Sequence, residues 1–473
     1  MTIDSLYSSG AKMARMIRFL RAHKRVSVII FSWVAFCAFW LIPNWREGPF
    51  YFLFFSALFV MLIASQLFWV GHVVGLGERF IPGKPRRAWL TFIASVVCLF
   101  FFAYNIGPWD IPRGDSTHLR LRNLLIEAPF WWWFVGSMVG FGLVIVLWTV
   151  DRTIRAAAWV YRIARKAAAG HTAAPMPGAV ALDPPSPARR QFLEQVGVAV
   201  SAVPFVAAAY GLLYGRLDVE VTHPRIRLAR LPKAFEGFRI VQLSDFHISP
   251  FMTADEIRRC VTIANALKAD LVVLTGDYLA DDPTASAEVV QAVAGLRAPY
   301  GVFGCLGNHE IYTQTEDSIT RLFAAEGIRV LRQERAPIRS HGEVLNLIGV
   351  DYQQARFSSD HDGHLVDRYL EGSEKLVMPN MVNILLNHNP NSFDRAAQLG
   401  IDLTLAGHTH GGTLSLGFIH RGLSLARVET PYVSGWYEKP GGQLYVNRGI
   451  GTTGPPIRLG ARPEITLLEL ART

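Results

Sequence analysis

Charge is scarce in this sequence, and unevenly so. Only 18% of the 473 residues are charged and 51% are apolar, too long a chain for one ordinary domain and too apolar for a wholly soluble protein. Cysteine is sparse as well, with four in all. Cys37 and Cys98 fall in long apolar runs, Cys260 on a predicted helix and Cys305 in a predicted strand, so buried thiols are expected rather than disulfides. No internal repeat points to a repeat architecture. The C-terminal half also lacks any run of interleaved basic and aromatic residues, so the net charge of +9 does not signal nucleic-acid binding.

Where charge is missing altogether, the chain reads as membrane-spanning. "VSVIIFSWVAFCAFWLI" (26–42), "FYFLFFSALFVMLIASQLFWV" (50–70), "WLTFIASVVCLFFFAYNIGPW" (89–109) and "FWWWFVGSMVGFGLVIVLWTV" (130–150) each run uncharged for the length a helix needs to cross a bilayer. Four transmembrane helices are therefore expected over 26–150. Trp89, Trp109, Trp131 and Trp148 suit an interfacial aromatic belt. "VGVAVSAVPFVAAAYGLLYG" (196–215) is a fifth candidate, weakened by its Ala and Gly content and interrupted by Pro204. Just before it, Arg189 and Arg190 in "SPARRQFLEQ" resemble a twin-arginine export signal, or simply flank the cytoplasmic end of a helix. On either reading the C-terminal half is exported.

The basic residues support that orientation. Lys and Arg gather in the N-terminal flank (Lys12 to Arg25), between Arg79 and Arg87, and between Arg152 and Arg190. The alternate loops hold Arg46 and then Arg113, Arg120 and Arg122. The positive-inside rule makes residues 1–25 cytoplasmic, and 151–195 a cytoplasmic linker whose Pro/Ala-rich part (167–188) needs no packed core. An odd fifth crossing puts 220–473 outside the cytoplasmic membrane.

From about residue 238 the texture changes to short β-rich runs alternating with amphipathic helices, an α/β layered pattern. "FRIVQL" leads to Asp245, and "TADE" (253–256) is a capping box opening a helix to about Leu267. "DLVVLT" ends at Gly276-Asp277, and a helix comes next at about 285–296. "GVFGCL" ends at Gly307-Asn308-His309-Glu310, "VNILLN" at His388, and "IDLTLA" at Gly407-His408-Thr409-His410. In such folds ligands gather at the carboxyl ends of the strands.

Singly, these residues say little. Asp245 and His247 fit a surface turn, Asp277 could cap the next helix, Asn308 is a common turn residue, and His388 could be a satisfied histidine at a helix start. His408 and His410, two apart in extended chain, are expected to face one side, with flanking glycines allowing close approach. Together they are a stronger signal. Five strand ends offering Asp, Asn and His to one edge would be poorly compensated without a cation.

In order and spacing, "SDFHIS", "TGDY", "GNHE", "LNHNP" and "AGHTHGG" resemble the five blocks of the calcineurin-like metallophosphoesterases, over roughly residues 220–473. The tail "LYVNRGIGTTGPPIRLGARPEITLLEL" is similar to the bacterial membrane-associated or exported branch. The resemblance implies a four-layer α-β-β-α sandwich and two divalent metal ions such as Mn, Fe or Zn. It implies Asp245, His247 and His410 as ligands of one metal, Asn308, His388 and His408 of the other, and Asp277 bridging both. His309 would be the catalytic residue, directed away from the metals, stabilising the transition state or protonating the leaving group. A metal-bridging hydroxide would attack phosphorus in line with the leaving oxygen.

Against the family pattern, Asp281 stands one residue later than a commoner Asp and is given no role, Glu310 replaces a commoner Asp, and Thr413 a frequent Gln. Arg448 and Arg458 are expected to be exposed surface arginines, and "SSDHDGH" (358–364) a solvated loop. The leading expectation is a membrane-anchored phosphoesterase acting on phosphomonoesters or phosphodiesters, lipid or envelope-linked among them. One alternative is a cytoplasm-facing UDP-2,3-diacylglucosamine-type pyrophosphatase, which needs 196–215 not to span. The other is a non-catalytic membrane scaffold, which would have no need of all seven ligand residues.

Overall fold

The computed structural model describes residues 24–38, 49–80, 88–97, 99, 117–168, 200–353, 358–359, 365–366, 369–415 and 424–473. The twin-arginine pair, most of the Pro/Ala-rich linker and residues 360–364 lie outside them. The chain divides into two units, residues 1–109 with 132–206, and 110–131 with 207–473.

In the first unit, long apolar runs form helices because nothing in them breaks the i→i−4 ladder. Among the described residues, two helical stretches are long and apolar enough to cross a bilayer, Phe55–Gly75 and Asn123–Arg165, the second starting within the other unit. Val26–Phe36, Ala88–Val97 and Val200–Gly215 are shorter apolar helices, and the rest of the first and third apolar runs lies outside the described residues. Trp69 Nε1 donates to the Ser137 carbonyl at 2.8 Å and Trp133 Nε1 to Gln66 Oε1 at 2.7 Å, so indole N–H groups buried among apolar side chains find acceptors.

The second unit is built on two sheets. The first contains β1 (Glu220–Thr222), β2 (Arg225–Leu228), β3 (Arg239–Leu243), β4 (Leu271–Thr275), β5 (Val302–Cys305) and β6 (Ile328–Val330). The second contains β7 (Glu334–Ser340), β8 (Glu343–Gly349), β9 (Val382–Leu386), β10 (Leu403–Ala406), β11 (Gly435–Lys439) and β12 (Gly442–Val446). β13 (Glu464–Arg472) returns to the first sheet, giving the order β1-β13-β3-β4-β5-β6 with β2 also on β13, against β11-β12-β10-β9-β8-β7 in the second. β3, β4, β5 and β6 are mutually parallel, as are β8, β9, β10 and β12.

The inner faces pack Ile240, Leu271 and Val273 against Leu347, Ile384 and Leu405, while Val241, Leu243, Val272 and Leu274 turn the other way towards helices. That outer layer contains α1 (Ala254–Ala266), α2 (Ser286–Val293) and α4 (Glu316–Ala325), with the short α3 (Asn308–Tyr312) following β5. α5 (Phe393–Gln398) covers the outside of the second sheet through Phe393, Ala396 and Ala397. The layers are thus helix, sheet, sheet, helix. The capping box is present at Thr253 and Glu256, whereas the expected helix 285–296 is confined to α2. Cys260 and Cys305 are buried free thiols.

Candidate metal centre

All five strands that carried polar residues at their ends in sequence deliver them to one edge, the carboxyl ends of β3, β4, β5, β9 and β10. There the backbone turns sharply. Asp245, His247, Asp277, His408 and His410 all have φ between 45° and 74°. These are five of the eleven described non-glycine residues at positive φ, a concentration that strain without purpose does not produce. Main-chain bonds hold the turns together: Asp245 N donates to the Gly276 carbonyl (3.0 Å), His247 N to that of Asp277 (3.1 Å) and Gly407 N to that of His388 (3.1 Å).

The left-handed turns also change how the histidine pair is read. His408 and His410 do not face one side, because the chain between them is not extended. His410 joins Asp245 and His247, whereas His408 joins Asp277 and His388; a third group unites His247, Asp277 and His309. Within each group the donor atoms lie within 4.8 Å of one another. His247 Nε2 stands 3.1 Å from His410 Nε2 and 3.4 Å from Asp277 Oδ2, His388 Nε2 3.1 Å from the same oxygen, and His408 Nδ1 3.2 Å from His388 Nε2. Asp277 therefore sits between two nests of imidazoles. It does not cap the following helix, since Asp282 accepts from Thr284 N instead.

This donor set suits a cation. Burial pushes His247 down to about 3 and His410 well below its ordinary value, so both rings are uncharged at neutral pH. Burial alone would raise Asp277, but His388 beside it holds the carboxyl well below the usual range. Burial likewise disfavours charge on His388, yet Asp277 and Asp245 lift it to about 10. Asn308 Oδ1 is buried without a partner. Imidazole, carboxylate and amide lone pairs converging in this way fit a borderline divalent ion, whose binding displaces the His388 proton.

The outward nitrogens of the same imidazoles are each engaged. His247 Nδ1 donates to the Leu279 carbonyl at 3.0 Å and His388 Nδ1 to that of Thr275 at 2.6 Å, so Nε2 of each points inward. His408 Nε2 lies 3.1 Å from the Glu429 carboxylate, and His410 Nδ1 is 3.1 Å from Nη2 of Arg458. Only His309 and His408 keep some exposure, 11% and 13%, and they mark the open side. The His309 ring stands 4.5 Å from that of His247, within the cluster and not turned away from it. Its Nδ1 contacts the Ala280 carbonyl and lies 3.9 Å from the exposed Asp281 carboxylate.

Sequence reasoning passed over three supports. Glu310 accepts from the backbone N–H groups of Asp277, Tyr278, Leu279 and Gly307, tying the β4 turn to the β5 turn. Glu429 had no local signal. Arg458, expected at the surface, is 1% exposed, and Arg448 is ion-paired to Glu220 and Glu464. Arg458 is held by the Gly449, Gly451 and Ala461 carbonyls and, among the described residues, is paired with no carboxylate. Thr413 adopts φ 50° where the His410 turn ends.

Comparison with known proteins gives the same picture. The calcineurin-like phosphoesterase pattern matches residues 238–412. The chain is 31% identical over 296 residues to "Uncharacterized metallophosphoesterase YkuE" of Bacillus subtilis (strain 168), covering 60% of this chain and 98% of that one. It is 29% identical over 289 residues to "Phosphodiesterase YaeI" of Escherichia coli (strain K12), covering 60% and 98%. A longer match, 27% identity over 436 residues and 89% of each chain, is to "Transmembrane protein with metallophosphoesterase domain" of Danio rerio.

Proposed function

Because the chain belongs to the calcineurin-like phosphoesterases, a family of metal-dependent phosphoester hydrolases, we propose that Asp245, His247 and His410 hold one divalent cation, Asn308, His388 and His408 a second, and Asp277 both. The observation that carries this is the meeting of the carboxylates and imidazoles around Asp277 at one sheet edge. Bound divalent cations supply Lewis acidity, polarising a phosphoryl oxygen and making a water acidic enough to serve as nucleophile near neutral pH.

The chain's own groups do the rest. Left-handed turns orient Asp245, His247, Asp277, His408 and His410, and burial of all but the His309 and His408 side excludes water from the back of the site. His309 is the catalytic acid. With Nδ1 donating to the Ala280 carbonyl, its Nε2 is the nitrogen that passes a proton to the leaving oxygen.

The protein is anchored in a bacterial cytoplasmic membrane by its apolar helices, with the catalytic domain on the outer face. The long apolar helices, the distribution of Lys and Arg and the transmembrane-named relative support that reading. Manganese-dependent hydrolysis of bis(p-nitrophenyl) phosphate, abolished by Asp277→Ala, tests the chemistry. A fusion after Thr473 of a reporter active only outside the cytoplasm tests the orientation, and a silent, stably expressed fusion would reverse it.

A further inference from the structure

In parallel strand–helix units, each helix that follows a strand starts at the strand's carboxyl edge, so the first turns of α1, α2 and α3 share the edge that carries the donor cluster. Two apolar segments are pinned to that edge. Arg216 Nη1 pairs with Glu256 in the first turn of α1 at 3.2 Å, and Thr117 donates to Glu288 in the first turn of α2. Beside these pins, Leu121, Leu124, Leu125, Leu213 and Tyr214 are 49% to 71% exposed, as is Tyr312 on α3, three residues from His309. Exposed apolar side chains clustered around a site mark an interaction surface.

The helix ending at Gly215 also packs onto the wall of the site itself. A Cβ on Gly215 would stand 2.3 Å from the Arg458 carbonyl oxygen, and one on Gly211 2.9 Å from the same oxygen, so the helix packs directly on the backbone of the loop at Arg458. The Arg458 side chain then reaches His410. One residue thus separates the apolar helix from a candidate ligand.

We propose, resting on the phosphoesterase reading above, that this rim seats the catalytic edge at the headgroup level of the bilayer, and that the substrate is a phosphate ester carried by a membrane lipid. The occupant is identified by continuity. Both pinned segments run on in sequence into apolar helices, Asn123–Arg165 on one side and Val200–Gly215 on the other, so the rim is where those helices end. Tyr214 and Tyr312 have the amphipathic rings that suit a membrane interface. In the reaction the water oxygen bonds to phosphorus, the P–O bond to the leaving alcohol breaks, and the proton ends on that alcohol while the acyl chains stay in the bilayer.

The test uses the full chain reconstituted in nanodiscs with Mn²⁺. Hydrolysis of dioleoyl phosphatidic acid and dioleoyl phosphatidylglycerol is compared with that of their dihexanoyl counterparts, and with bis(p-nitrophenyl) phosphate as a soluble control. At least one long-chain lipid should be favoured in kcat/KM by about tenfold or more, because remote binding energy is spent at the reacting centre. Leu125→Asp with Leu213→Asp should lower lipid hydrolysis about tenfold and leave the soluble control within about twofold. Equal or better use of the short-chain esters, or equal slowing of both substrate types, overturns the proposal while leaving the phosphoesterase reading intact. Failure on every ester overturns that reading as well. Independently of catalysis, a nitroxide at Leu213→Cys should be relaxed more by oxygen than by a water-soluble nickel chelate; the reverse order refutes membrane seating.

Discussion

Gly307→Ala isolates the contribution of a single interatomic gap. Gly307 has φ −103° and ψ −172°, an extended conformation open to any residue, so the substitution introduces no backbone strain of its own. What it introduces is a methyl group 2.1 Å from Asp277 Oδ1, 2.5 Å from Asp277 N and 2.8 Å from its Cγ. To reach the 3.0 Å below which real Cβ contacts are essentially never found, the carboxylate must retreat by about 1 Å. Metal–ligand distances tolerate only about 0.2 Å, and Asp277 is the residue proposed to serve both cations. The retreat also strains the 3.0 Å bond that Oδ1 accepts from His309 N, disturbing the histidine proposed as the acid.

The expected loss is roughly 10- to 100-fold in Mn²⁺ affinity and on the order of 100-fold in kcat/KM. Overpacking of this size costs about 1–3 kcal/mol, which a domain of ordinary stability survives. Calorimetric Mn²⁺ titration, hydrolysis of bis(p-nitrophenyl) phosphate and thermal melting separate the effects. Gly295→Ala, whose new methyl would meet nothing closer than 3.6 Å, is the control. A folded Gly307→Ala protein with wild-type Mn²⁺ affinity and turnover would refute the central position given to Asp277.

The same geometry sets two further outcomes. His309→Ala should keep Mn²⁺ stoichiometry while turnover falls at least about 100-fold, as for loss of a general acid; normal turnover would remove His309 from the chemistry. Glu429→Ala frees His408 Nε2 from its 3.1 Å partner and should weaken Mn²⁺ binding about tenfold, with Glu429→Gln in between because an amide oxygen still accepts; unchanged titrations of both would reduce Glu429 to a surface contact.

The residues that meet around Asp277 were legible because each sits where a local pattern stops. A β-rich apolar run ends in Asp, Asn or His, and a parallel sheet collects those ends at one edge whatever the loops between them do. The same logic recovered the strands, the helix layers and the Thr253 capping box. It misjudged the His408–His410 pair because period-two reasoning assumes extended chain, and the left-handed conformations at these residues cannot be read from residue type alone. That error is instructive: the turn is what lets one short motif serve both groups around Asp277.

The supporting residues were hidden for a different physical reason. Glu310 is defined by four backbone N–H groups, which every sequence possesses, so nothing in its neighbourhood distinguishes it from an ordinary helix-start carboxylate. Arg458 is harder still. An arginine after two prolines reads as surface, yet its backbone lies hard against Gly211 and Gly215, more than 240 residues earlier, and its side chain turns inward to the Gly449, Gly451 and Ala461 carbonyls. The signal is a close approach of two backbones, possible only because both glycines lack a Cβ. The consequence is mechanical. The last turns of an apolar helix pack on the Arg458 backbone, whose side chain reaches His410, so a change that lifts that helix away acts on a candidate ligand through one residue.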